Sequence, residues 1–409
     1  MRALAASVLA ALLLAGGSSV WAQRGPIKIG LFVPLTGPLA ANGKEMENGF
    51  TLFLDEQGRR LAGREVQLTI EDTEAKPATA LTKARALVES QGVHVLVGPL
   101  STAEAYAVLP YIESRKIPML SPTVAAEDLT QRRRSPYVVR TGWTAGQPAH
   151  PFGKWVHDTL KYRKIAIVAQ DFAFGHESSA AFQRTFEEAG GQIVQKLFAP
   201  LGTADFGPYL ASLKRDADAV YVASAGADAL RFTRQYADAG LKERIPVIGS
   251  GNFTDEHVLR RMGDEAIGIV SALHYSAALT NGANRRYVQA YEGKFQHVPS
   301  YYSEGTYTGG IVLKAALEAI GGEIEDGAKF LAALRRVALT DAPRGPVSFD
   351  EYGHPIQNIY VRRVERVGGK LQNTVIHTFP NVSQFWTYRP DEYLKNPVYS
   401  REWPPCKAC

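Results

Sequence analysis

Val93-His94-Val95-Leu96-Val97-Gly98-Pro99-Leu100-Ser101-Thr102 and Ile117-Pro118-Met119-Leu120-Ser121-Pro122-Thr123 share one plan. A short apolar run ends in a turn that carries hydroxyl groups, and a helix-like stretch comes next. Runs of this kind read as buried strands of a parallel sheet. In an open parallel sheet, ligands settle beyond the carboxyl ends of the strands. A helix that starts there presents unpaired backbone N–H groups. With the hydroxyls of Ser101, Thr102 and Thr123 beside them, those groups suit a small carboxylate.

Working outward, the same strand–helix rhythm covers the first 140 residues. Ile27–Pro34 reads as a strand, and the stretch from Glu45 as a helix with Met46, Phe50, Phe53 and Leu54 on one face. Val66–Ile70 is a strand, 78–90 a helix, 103–115 a helix. This alternation marks a doubly wound parallel α/β sheet. At Tyr137–Gly142 the rhythm breaks and a second series begins. It has strands at Ile165–Ala169, Gln192–Phe198, Ala219–Ala223 and Val247–Ile248, with helices at 147–161, 177–189, 208–215 and 227–239 between them. After Ile267–Leu273, helices at 284–296, 305–320 and 326–338 return to the first unit. A turn-rich segment, 345–354, then leads to strands Gln357–Val364 and Leu371–His377. Residues 380–409, rich in aromatic residues and proline, read as an extended wrap.

At 409 residues the chain is long enough for two lobes. Residues 1–22 read as an export signal: Arg2, the apolar run Ala3–Ala15, and Val20-Trp21-Ala22 as a cleavage site before Gln23. No later apolar run reaches the length of a membrane span. The formal charge is +5, and the one basic cluster, Gln131-Arg132-Arg133-Arg134, has no interleaved aromatic residue. It reads as a solvated loop rather than a nucleic-acid surface. The two cysteines, Cys406 and Cys409, form a C-x-x-C tail that reads as a disulfide staple after export. Two ligands are too few for a structural zinc.

No H-E-x-x-H, G-x-S-x-G, Walker A or G-x-G-x-x-G pattern occurs. Asp171, His176 and Glu177 are the nearest acid–base candidates, and no nucleophile stands at a useful spacing from them. The expectation is no catalytic residue, no metal and no cofactor.

The order Ile27-Lys28-Ile29-Gly30, Leu35-Thr36-Gly37-Pro38, Gly98-Pro99 with Ser101-Thr102, and Pro118–Pro122 carries a family resemblance. So do Tyr137–Thr141, Asp171 with Phe174-Gly175, and Gly345-Pro346 with Phe349-Asp350 and Gly353. From Ile27 to about Val364 the chain resembles the periplasmic substrate-binding proteins of ABC importers, in the branched-chain amino-acid binding family with the type I fold. The resemblance implies two doubly wound lobes joined by crossings near Thr141–Gly146, Leu273–Ser276 and Phe349–His354. Lobe one is then 27–142 plus 275–347, and lobe two 143–273 plus 350–379, with the 380–409 tail packed on lobe two. It implies a monomer in the periplasm that closes on a small ligand and delivers it to an inner-membrane permease with its ATPase. A sensory receptor on the same fold is the alternative.

The family's ligand positions fall here on Thr102, with Ser101 beside it, on Thr123 and Ala125, and on the aromatic Phe174; Tyr302 is a further aromatic candidate. Ala125 supplies no hydroxyl. The acid that holds an amino acid's ammonium falls on Gly251, so Asp171 or Asp228 would have to stand in. With that acid missing, the expected ligand is an aromatic or other hydrophobic carboxylate. A leucine-like amino acid is the alternative.

Overall fold

The computed structural model describes residues 25–409. The export signal expected at 1–22 lies outside the described residues. Among those residues, no helix is long and apolar enough to cross a membrane.

Two sheets form the frame. The first contains β1 (Ile27–Val33), β2 (Arg60–Leu61), β3 (Arg64–Asp72), β4 (Val95–Val97), β5 (Met119–Ser121) and β6 (Val138–Arg140), in the order β2-β3-β1-β4-β5-β6. All its pairings are parallel except the short β2–β3 hairpin. The second contains β7 (Lys164–Gln170), β8 (Gln192–Ala199), β9 (Ala219–Ala223), β10 (Val247–Ser250) and β11 (Val270–Leu273). Its remaining strands are β12 (Val347–Phe349), β13 (Pro355–Val367) and β14 (Lys370–Val382). Its order is β12-β13-β11-β10-β9-β7-β8, with β14 on β13. The run from β8 to β11 is parallel, and β13 joins it antiparallel. Central strands such as Val95-Leu96-Val97 and Ala219–Ala223 are buried throughout, because helices cover both faces of each sheet.

The helices that matter for the cleft are α1 (Ala40–Glu56), α2 (Pro77–Arg85), α3 (Thr102–Arg115), α4 (Gly146–Trp155), α5 (Ala173–Glu188) and α6 (Gly207–Ser212). They continue with α7 (Gly226–Asp238), α8 (Glu256–Leu259), α9 (Gly282–Phe295), α10 (Tyr301–Ala319), α11 (Gly327–Arg335) and α12 (Pro390–Tyr393). Met46, Phe50, Phe53 and Leu54 of α1 are buried in one core with Val312, Leu313 and Leu317 of α10. The chain thus comes back to the first sheet after β11. At Gly49 the two helices touch so closely that a methyl group would lie 1.9 Å from the Ser303 carbonyl oxygen. Only glycine fits there.

Three boundaries differ from the sequence reading, with consequences for the cleft. Helix α5 starts at Ala173 rather than 177, directly after β7, so Phe174 lies in its first turn. Helix α10 starts at Tyr301 rather than 305, because Ser300 caps it: Ser303 N–H donates to Ser300 Oγ, and Ser300 N–H to Ser303 Oγ. Tyr301 and Tyr302 are therefore its first two residues. Strand β12 belongs to the second sheet, so the third return of the chain comes before Val347, ahead of the expected Phe349–His354 crossing.

The crossings are tied by a fully buried pair. Arg344 Nε donates to Glu304 Oε1 at 2.9 Å, and its Nη1 donates to the Thr141 carbonyl and to Gln357 Oε1. One guanidinium thus links α10, the first crossing and β13. The tail does pack on the second unit: Phe385, Tyr393 and Tyr399 share a core with Phe152 of α4 and Phe182 of α5. Cys406 and Cys409 are disulfide-bonded. In the arginine cluster Arg133 and Arg134 are exposed, as expected of a solvated loop, whereas Arg132 is half-buried. Arg132 pairs with Asp128, donates to the Tyr393 and Asn396 carbonyls, and lies over the Tyr393 ring. Arg133 and Arg134 lie over Tyr106 and Tyr352. The aromatic partners come from distant segments, which the local sequence does not show.

Candidate functional site

The cleft between the sheets is built from the residues just beyond the strands. Leu39 comes after β1, Leu100-Ser101-Thr102 after β4, Thr123 and Ala125 after β5, and Trp143 after β6. From the second sheet, Phe172 and Phe174 come after β7, Ala225 after β9 and Asn252 after β10. Tyr301 and Tyr302 open α10. These residues line one pocket between the two sheets. Every sheet contribution sits beyond the carboxyl end of a parallel strand, the place such sheets offer to ligands.

One corner, at the start of α3, is rich in hydroxyl groups. Ser101 is its cap: its Oγ accepts from Glu104 N–H at 3.2 Å, while Ser101 N–H donates to Glu104 Oε2 at 2.9 Å. Accepting that bond leaves the Ser101 O–H proton free to donate. Thr102 is 1% exposed, and its Oγ1 is buried without a hydrogen-bond partner. Burial holds the Glu104 carboxyl above its usual range, so the acid beneath the cap is neutral more readily than a free one. Thr123 Oγ1 meets only the Met46 sulfur, at 3.4 Å.

One buried arginine shapes the second loop. Arg140, at the end of β6, donates to the carbonyls of Val124, Ala126 and Trp143. Trp143 Nε1 in turn donates to the Thr123 carbonyl at 3.1 Å. The loop and the Trp143 wall are therefore fixed as one unit. Burial lowers the Arg140 pKa to about 10, with Glu127 opposing, so the guanidinium stays charged at neutral pH.

The walls are aromatic. Trp143 meets Phe174 edge-on at 6.4 Å and Tyr301 edge-on at 5.8 Å between centroids. Phe172 leans on Phe174 at 5.9 Å, and the Tyr301 and Tyr302 rings lie 3.9 Å apart. Asn252 joins the two sides of the cleft: its Nδ2 donates to Tyr301 OH at 2.6 Å and reaches Tyr302 OH at 3.4 Å.

Of the residues expected at the site, Ser101, Thr102, Thr123, Ala125, Phe174 and Tyr302 line this one cavity. Asp171 does not. It is bound to His176 Nε2 at 2.8 Å and to Arg401 of the tail at 2.9 Å. Asp228 is buried and occupied by Gln170, Gly202 N–H and Arg231. Gly251 faces away: a methyl group there would lie 2.4 Å from Leu273 Cβ and 2.7 Å from the Ala272 carbonyl oxygen. No acid fits at that position, and Asn252 is the residue of this turn that reaches the cleft. Asn252 and Tyr301 were not expected as site residues. Asn252 stands one residue beyond Gly251, and Tyr301 becomes visible only once Ser300 is seen as a helix cap.

Among the described residues, none with a charged side chain lines the cavity. Nor do any His, Cys, Asp and Glu residues group as a metal site among them.

The sequence matches the family described as periplasmic binding protein over residues 26–370. Leu/Ile/Val-binding protein homolog 6 of Brucella melitensis is 32% identical over 387 residues, 93% of this chain and 97% of that protein. The chain belongs to the periplasmic binding protein family. Two solved relatives share its shape. An ABC transporter substrate-binding protein from Sphaerobacter thermophilus is 37% identical, with a TM-score of 0.83, over 88% of this chain and 99% of its own. A solute-binding protein of an ABC transporter from Rhodopseudomonas palustris BisB5, in complex with 3,4-dihydroxybenzoic acid, is 34% identical, with a TM-score of 0.84 and the same coverage. This periplasmic binding protein is thus a substrate-binding component of an ABC transporter, not an enzyme. Its partners are a small-molecule ligand and a membrane permease.

Proposed function

We propose that this protein captures an aromatic or other hydrophobic carboxylate and presents it to its permease, whose ATPase drives uptake. The observation that carries the reading is the cavity lining: five aromatic side chains and free hydroxyls, with no charged group. A buried ammonium without a counter-charge costs several kcal/mol. That is a large share of the roughly −8 kcal/mol that micromolar binding represents. Asp171 and Asp228, the acids able to compensate it, are held elsewhere. A carboxylate needs only the hydroxyls and N–H groups at the start of α3. Its apolar body meets Trp143, Phe172, Phe174, Tyr301 and Tyr302. The Rhodopseudomonas palustris relative that holds 3,4-dihydroxybenzoic acid supports this reading. The name of the Brucella melitensis relative favours a second one, a branched-chain amino acid.

The lobes in this reading follow the sheets, 27–142 with the helices after β11 and 143–273 with β12 to β14, and close around the ligand as a monomer. Export removes residues 1–22 and leaves Gln23 first. Native mass spectrometry of protein released from the periplasm tests both parts at once. The expected species has the mass of a chain starting at Gln23 and retains an aromatic acid. A retained amino acid would contradict the ligand class, and an uncleaved chain would contradict the export step.

A further inference from the structure

Asn252 is 3% exposed, and only one end of its amide is occupied. Nδ2 is engaged by the hydroxyls of Tyr301 and Tyr302, whereas Oδ1 is buried with no hydrogen-bond partner. A buried amide oxygen that has lost water and gained nothing is destabilising, and such atoms in native proteins call for an explanation. Here the atom belongs to a residue that lines the ligand cavity. The second unpaired oxygen of the lining, Thr102 Oγ1, comes from the other sheet. Two residues of the lining, one from each sheet, thus carry an oxygen that no described residue hydrogen-bonds.

We infer that Asn252 is a specificity residue that accepts a hydrogen bond from a ring hydroxyl, so that the ligand is a hydroxylated aromatic acid. This rests on the aromatic-carboxylate reading above. A phenolic O–H is a neutral donor and brings no charge into a lining that has none to oppose it. On a rigid ring that also bears the carboxylate, it lets one ligand address Thr102 and Asn252 together. Benzoate addresses only Thr102 and leaves Asn252 Oδ1 unpaired. An ammonium would also donate to Oδ1, but it carries an uncompensated charge.

The test is calorimetric titration of benzoate, 3-hydroxybenzoate and 4-hydroxybenzoate into the wild type, Asn252→Leu and Asn252→Ala. In the wild type at least one hydroxybenzoate binds roughly tenfold or more tighter than benzoate. In the variants the ratio of hydroxybenzoate to benzoate affinity falls to within about twofold, whatever the absolute affinities, and circular dichroism shows that they still fold. Equal affinities for benzoate and both hydroxybenzoates in the wild type would overturn the inference and leave the aromatic-acid reading standing, whatever the variants do. A preference that survives in a benzoate-binding variant would overturn it too. Failure of all three acids to bind the wild type would remove both readings together.

Discussion

Thr102 carries a hydroxyl, at a helix start, that none of the described residues hydrogen-bonds. Thr102→Val keeps the shape and removes the donor. A hydrogen bond to a charged group contributes about 1.5–3 kcal/mol. Calorimetry should therefore show affinity for an aromatic acid falling about ten- to a hundredfold, with unliganded stability little changed. Unchanged affinity would take this loop out of the site. Part of the lining was legible because it lies just past strand ends, where chain direction alone places Ser101, Thr102 and Thr123 in a cleft; Phe174 came only with the family resemblance. Side-chain direction was not legible. Asp171 also comes after a strand, yet it turns to Arg401, 230 residues away in sequence. Gly251 marks no missing acid. It is glycine because the neighbouring strand, at Ala272 and Leu273, leaves no room for a Cβ.

At the scale of elements, the βα alternation showed itself through long, strongly patterned segments. The pieces it hid were short or depended on distant partners. β2 has only two residues, and β12 lies within the turn-rich stretch 345–354, where no apolar run marks it. The tail declares itself as aromatic, but its docking depends on residues such as His150, which only the fold brings near. His150 of α4 is fully buried against Tyr388, Tyr393 and Tyr399, with Nε2 2.8 Å from Tyr399 OH. Burial, aided by Arg184, lowers its pKa from 6.5 to about 3. The folded state keeps the ring neutral while the unfolded chain takes a proton below pH 6.5. The stability it contributes is thus present above that pH and lost as pH falls toward 3. Urea unfolding of wild type and His150→Gln at pH 7 and pH 5 should show the wild type losing about 2 kcal/mol relative to the variant over that interval. A difference that does not move with pH would mean that the tail leaves His150 open to protonation. The comparison cancels the contributions of other buried groups, among them Glu177, whose raised pKa acts in the opposite direction.

At the scale of the molecule, the two lobes touch through contacts that cross the cleft. Arg260 beyond α8 pairs with Glu45 of α1 at 3.0 Å, and Tyr301 N–H donates to Asp255 at 3.1 Å. Glu177 of α5 accepts from Tyr106 of α3. The cavity draws its lining from both lobes, so a ligand in it contacts both only when they are together. In the proposed function, that differential affinity shifts the population toward a closed form. On the proposed reading, closure also removes water from an uncharged, aromatic interior, where a carboxylate is held at the start of α3 and a bare ammonium is opposed. The central claim is therefore one of ligand charge. Isothermal titration calorimetry of the ligand-free protein against 4-hydroxybenzoate, benzoate, leucine and valine, in one buffer, tests it most directly. Micromolar binding of an aromatic acid, with no heat from leucine or valine, is the predicted result. Micromolar binding of leucine or valine, with both aromatic acids ignored, would contradict it.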